Sequence, residues 1–118
     1  MPTIVQQAKD GVVRDFRGEV DNGNSGAAKT IDWNMGQKQK VVMTAVCTFT
    51  FTAPPGVGNF IFKIVQDGTG GWTAVWPGTV KWTGSSPPTL STAAGAVDIV
   101  SFYFDGTNYY GVLAPNFA

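Results

Sequence analysis

Cys47-Thr48-Phe49-Thr50-Phe51-Thr52 sets phenylalanine and threonine in strict alternation. In an extended chain successive side chains point to opposite faces, so this run has one apolar side and one polar side. That is what a half-buried β-strand requires, and a helix would scatter the same residues around its circumference. The alternation recurs. Thr30-Ile31-Asp32-Trp33-Asn34 places Ile31 and Trp33 together, and Val97 to Asp105 places Val100, Phe102 and Phe104 opposite Ile99, Ser101 and Tyr103. Phe60-Ile61-Phe62-Lys63-Ile64-Val65-Gln66 is more continuously apolar, which reads as a central strand covered on both faces, although a buried helix would show the same run.

Between these runs lie residues that reverse the chain. Asp21-Asn22-Gly23-Asn24-Ser25-Gly26 tolerates positive φ, Ala53-Pro54-Pro55-Gly56 removes ladder donors, and Asp67-Gly68-Thr69-Gly70-Gly71 carries two hairpin glycines. Pro77-Gly78 divides two short strands, Trp72 to Trp76 and Thr79 to Trp82, and Gly84 to Pro88 is a crossing loop. Asp105-Gly106-Thr107-Asn108 closes a hairpin onto Tyr109. Turn signals spaced about 8 to 12 residues apart predict an all-β fold, an antiparallel β-sandwich of jelly-roll type with about eight short strands, over residues 28–118. Residues 1–27 read as an extended N-terminal arm. Its apolar positions Val12, Val13, Phe16 and Val20 have partly helical spacing, but Gly11 and Gly18 interrupt it. Within the arm, Val12, Val13, Arg14, Phe16 and Arg17 are the candidate interface contacts.

Composition removes most catalytic chemistries. The 118 residues contain no histidine, so the commonest general base and metal ligand is missing. Cys47 is the only cysteine, which excludes an internal disulfide and a cysteine-based zinc site. It is expected to be a small buried packing residue. Eight basic residues balance eight acidic ones, so no single-signed field draws the chain to nucleic acid or an anionic membrane. No apolar run is long enough to span a bilayer, and the start lacks the pattern of a signal peptide. Synthesis in the cytoplasm without standard export is therefore expected.

Asp67 and Asp105 open Asp-Gly turns, where a carboxylate caps its own backbone. The glycine-rich stretch after Asp67 lacks the lysine and the following helix of a phosphate loop. A pair of carboxylates assembled from separate strands is the remaining route to catalysis, and the chain offers little area for the groove it would serve. No catalytic, cofactor or metal residue is assigned. Trp33, Trp72, Trp76 and Trp82 predict a tryptophan-rich core. Those facing outward would give stacking or oligomer contacts, and the candidates are Trp72, Trp76, Tyr109 and Tyr110. Tyr109 and Tyr110 are adjacent, so in a strand one must face away from the core.

Thr30-Ile31-Asp32-Trp33 leading to Gln39-Lys40-Val41, Thr48-Phe49-Thr50-Phe51 with its Pro-Pro, and Val65-Gln66-Asp67-Gly68-Thr69-Gly70 running to Val75-Trp76-Pro77 and Val80-Lys81-Trp82 carry a likeness. Pro88-Thr89-Leu90 through Ala96-Val97-Asp98-Ile99 to Phe104-Asp105-Gly106-Thr107 adds a less distinctive piece. On these stretches the chain, from about Asn24 onward, resembles a small β domain of bacteriophage virion proteins. That domain occurs near the ends of tail-fibre and other appendage proteins and in short stand-alone structural proteins. The resemblance implies a phage structural protein on the surface of the virion, partnered by a major capsid or appendage protein. It also implies a homo-oligomer, a trimer being the common state of such modules. It brings no residue-by-residue binding site.

Two functions follow as expectations. The first is a capsid decoration or cement protein, or a short head fibre, held by the arm, since the chain is short and carries no fibre shaft. The alternative is a tail-fibre adhesin reading host glycan through exposed aromatics.

Overall fold

The computed structural model describes residues 18–117. Nine strands follow one another: β1 (Val20–Asn24), β2 (Ala28–Asp32), β3 (Lys38–Met43), β4 (Cys47–Thr52), β5 (Gly58–Gln66), β6 (Ala74–Val75), β7 (Val80–Trp82), β8 (Val97–Phe104) and β9 (Tyr109–Phe117). They form a six-stranded sheet in the order β1-β3-β5-β8-β9-β7 and a three-stranded sheet in the order β2-β4-β6. The all-β sandwich class is as the alternation predicts. β1 lies within the segment read as the arm and is the edge strand of the larger sheet.

The pairing differs from the expected antiparallel jelly roll. β1 with β3, β2 with β4, β3 with β5, β4 with β6 and β7 with β9 are parallel, and only β5 with β8 and β8 with β9 are antiparallel. From β1 to β6 the chain alternates between the sheets, each reversal arching across to the facing sheet instead of folding back as a hairpin. Each coil returns beside itself after 19 residues (Val20 to Gln39), 20 (Ala28 to Thr48), 23 (Lys38 to Ile61) or 27 (Cys47 to Ala74). Parallel neighbours need a crossover of a dozen or more residues, and here a strand of the opposite sheet supplies it. Glycine, proline, aspartate and asparagine specify that a chain reverses. They do not specify which sheet the next strand joins, so arch and hairpin look alike in sequence.

The final turn is the predicted hairpin. Phe104 faces Tyr109, and the Asp105 amide donates to the Asn108 carbonyl at 3.1 Å. By contrast, Thr30 to Asn34 is not one strand. The Asp32 carboxylate accepts from the Asn34 amide at 2.9 Å and starts a 3-10 turn at Trp33–Met35, which folds Trp33 into the core.

The core between the sheets is a mesh of rings. Trp33 stacks on Phe60 with centroids 4.7 Å apart, Phe49 meets Phe62 edge-on at 5.4 Å, and Phe51 reaches Phe102 at 5.5 Å and Tyr109 at 5.1 Å. Cys47 is buried and unpaired, and burial pushes its thiol up, which keeps it protonated and inert.

Cover on both faces of β5 is also corrected. Phe60, Phe62 and Ile64 are buried while Ile61 is 39% exposed, because the three-stranded sheet covers only the inner side. Ile61 and Val65 make the run look continuously apolar in sequence, yet they face outward with Lys63.

Candidate functional site

The carboxylates reveal what kind of surface this is. Asp67, at the end of β5, accepts from the Thr69 and Gly70 amides and the Trp72 indole N–H, each at 2.9 Å. Gln66 beside it pairs with the Trp72 backbone through both ends of its amide, at 2.7 and 3.2 Å. The Gln-Asp-Gly-Thr-Gly-Gly-Trp motif is therefore a clasp that holds Trp72 against the core. Asp105 does the same work in the last hairpin, accepting from the Thr107 and Asn108 amides at 2.8 Å and from the Tyr110 hydroxyl at 3.1 Å.

Asp98 is buried, and it accepts from the amides of Ser91 and Asn116, both at 2.7 Å. It thereby ties the 86–96 loop and the end of β9 to β8. Asp21 caps Gly23, Asp32 caps Asn34, and Glu19 pairs with Lys63 at 2.9 Å. Every acidic side chain among the described residues thus positions backbone or pairs with a cation. Asp98 and the buried glutamines Gln39 and Gln66 are structural residues that the sequence reading did not single out, although each shares the inward side of its strand with apolar neighbours, Gln39 with Val41, Gln66 with Ile64 and Asp98 with Val100.

Hydrogen-bond donors aimed at Asp67 hold its carboxyl below the ordinary 3.8, the Gly70 backbone amide first and the Trp72 indole next. The Asn108 and Thr107 amides do the same for Asp105. A folded-state value below the unfolded one stabilises the fold above the unfolded value, and that contribution is lost as pH falls through the folded value. Melting temperature is therefore expected to drop as the solution is acidified below pH 3.8. The deficit of an Asp67→Asn chain relative to the natural one should be largest at neutral pH and shrink in acid. A deficit independent of pH in thermal melts would contradict the assignment.

Of the candidate aromatic contacts, Trp72 and Trp76 are half-buried and packed against the core. Tyr109 is corrected. It is 2% exposed, its ring 4.4 Å from Phe104, and burial raises its phenol, so it offers nothing to a partner from this fold. Tyr110 is on the outer face beside Tyr103, with ring centroids 6.4 Å apart and both half-exposed. Val12, Val13, Arg14, Phe16 and Arg17 lie outside the described residues.

Among the grooves on the described surface, two are of similar volume. One of about 580 Å³ lies where β6 passes to β7, walled by Trp76, Pro77, Lys81, Trp82 and Ser85. The other, of about 590 Å³, lies on the outer face of the larger sheet over Ile61 and Ile99, with Gly18 and Glu19 on its rim. Among the described residues no cluster of three or more histidine, cysteine or acidic side chains could hold a metal, and no helix is long and apolar enough to cross a membrane.

These features define a β module whose polar groups hold its own loops and whose distinctive surfaces are apolar and aromatic. Residues 24–109 match the family model described as "Putative phage tail fibre C-terminal domain". The match covers more than half of the chain, which belongs to that family of virion structural domains and is a component of the phage particle, associated with other virion proteins. No match is found among curated proteins or solved structures.

Proposed function

We propose that this chain is a non-catalytic capsid decoration, cement or head-fibre protein, held on the particle through the segment that precedes β1. The observation that carries the structural role is the engagement of every described carboxylate, from Glu19 to Asp105, in caps, clasps and the Lys63 pair. General acid–base chemistry needs a carboxyl free to exchange protons with a substrate, and these are committed to backbone donors or a cation. Attachment at the β1 edge leaves the far side of the sandwich open to solvent. A cement protein of this kind would strengthen the shell by bridging capsomers, through added interface.

A second reading, a tail-fibre tip binding host glycan, draws on the tail-fibre description of the family and on the Trp76–Trp82 groove. Aromatic rings at a groove suit stacking against sugar faces. Imaging particles that lack the gene separates the two. Loss of surface knobs together with lower heat resistance of filled heads is the expected result. Intact, heat-resistant heads that fail to adsorb would overturn the decoration reading in favour of the tip. The proposed assembly state is a homotrimer, to be read by sedimentation of the purified chain.

A further inference from the structure

Strand order puts β6 and β7 on the side of the sandwich opposite β1 and β2. Both are short edge strands, Ala74–Val75 and Val80–Trp82, so little backbone ladder closes the sandwich there. Trp76 and Trp82 pack against the core at this opening. Trp76 stacks on Phe49 with centroids 5.3 Å apart, and Trp82 meets Trp76 edge-on at 5.1 Å. Gly111 on β9 makes room for Trp82, since a Cβ there would stand 2.6 Å from its ring. The groove lined by these two tryptophans, about 580 Å³, falls within the usual range of ligand clefts, roughly 300–1,000 Å³.

Sealing the core accounts for the rings and not for their polar edges. The Trp72 indole N–H is held by Asp67 at 2.9 Å, whereas those of Trp76 and Trp82 donate to no group among the described residues and meet solvent. Lys81 is the ionised side chain on the groove wall, and its ammonium has one long contact, to the Gly78 carbonyl at 3.5 Å. Ser85 adds a hydroxyl from a residue at φ +69, a left-handed backbone uncommon outside glycine, directly after Gly84 at +77. Among the described residues no carboxylate lines the groove. Asp105, which reaches Tyr110 beside Lys81 in register, is committed to its own hairpin. The groove is thus aromatic, rich in donors and positive.

We infer that this groove binds an acidic sugar unit, one whose ring bears a carboxylate or a phosphate. The apolar face of a sugar ring packs on indole, while its oxygens accept from the free indole N–H groups and the Ser85 hydroxyl. Lys81 supplies the charge-assisted bond to the anion. As a compact ammonium it lacks the fork geometry that would favour a carboxylate over a phosphate. The inference rests on reading the groove as a sugar site. It is independent of where on the particle the chain is bound, because the groove lies away from β1.

Indole N–H signals of the nitrogen-15-labelled chain report its four tryptophans separately, with Trp76→Phe and Trp82→Phe spectra giving the assignments. Trigalacturonic acid should move the Trp76 and Trp82 signals and leave that of buried Trp33 in place. Its fully methyl-esterified form, the same rings without charge, should bind roughly tenfold more weakly. Lys81→Gln should weaken the acid by a similar factor and leave the ester unchanged. Galactose 6-phosphate is the phosphate arm, and movement of the same signals by it alone would assign the anion as phosphate and uphold the inference. Acid and ester binding alike, with no effect of Lys81→Gln, would overturn the acidic sugar while leaving a sugar groove. Inorganic phosphate acting as strongly as galactose 6-phosphate would reduce the site to an adventitious anion patch. Silence of both indoles with every probe would overturn the sugar groove itself.

Discussion

A Gly70→Ala chain is expected to melt roughly 10 °C or more below the natural one, with Gly68→Ala as a near-neutral control. Gly70 has φ +71, and a Cβ there would stand 2.5 Å from the Thr92 carbonyl oxygen and 2.8 Å from the Ala94 nitrogen. Those are backbone atoms, and they cannot withdraw. The Gly71 amide donates to the Thr92 carbonyl at 2.7 Å, the Gly95 amide to the Asp67 carbonyl at 3.1 Å, and the Gln66 amide to the Ala96 carbonyl at 2.8 Å. Left-handed strain of about 1–2 kcal/mol adds to overpacking of about 1–3 kcal/mol. Nothing lies within 4 Å of a Cβ built on Gly68, and its φ is not in the left-handed region. Equal melting temperatures for the two variants would show that the clasp is not tight.

Truncating Phe62 to alanine should cost about 3–5 kcal/mol in denaturant unfolding, because its ring joins the two sheets. Phe62 is fully buried on β5, with Phe49 at 5.4 Å, Trp33 at 5.8 Å and Trp76 at 6.3 Å around it. Removing it opens a cavity among rings from three other segments in a close-packed interior. Phe117, 51% exposed at the end of β9, supplies the contrast, and its alanine variant should differ by no more than about 0.5 kcal/mol. A loss below about 1 kcal/mol at Phe62 would mean that the rings do not form one packed core.

Period-two patterns made the strands legible. Phe49 and Phe51, and Phe102 and Phe104, were assigned to inward faces by alternation alone, and the Asp105 hairpin by its turn residues. Winding was not legible, for a physical reason. The coils that place Val20 beside Gln39 and Lys38 beside Ile61 differ in length, so no internal repeat marks them. Trp33 was placed correctly in the core but in the wrong element, since the Asp32 cap that ends β2 depends on geometry that alternation does not encode. At the surface, adjacency required one of Tyr109 and Tyr110 to face outward, and register with β8 decided that it is Tyr110. The outer groove was invisible because Ile61 and Ile99 reside on separate strands, and only the register of β5 with β8 brings them together.

The alternate winding also has a consequence for synthesis. β8 and β9 are the one pair consecutive in the chain and adjacent in a sheet among the described strands, and β8 is also the strand that completes β5. A ribosome therefore delivers the coils first, while β5, paired with β3 on one edge, waits with its other edge unpaired until residues 97–104 emerge. An unpaired strand is a template for another nascent chain. Lys63, outward on β5 among its apolar neighbours, is the kind of charge that discourages such mispairing during that interval.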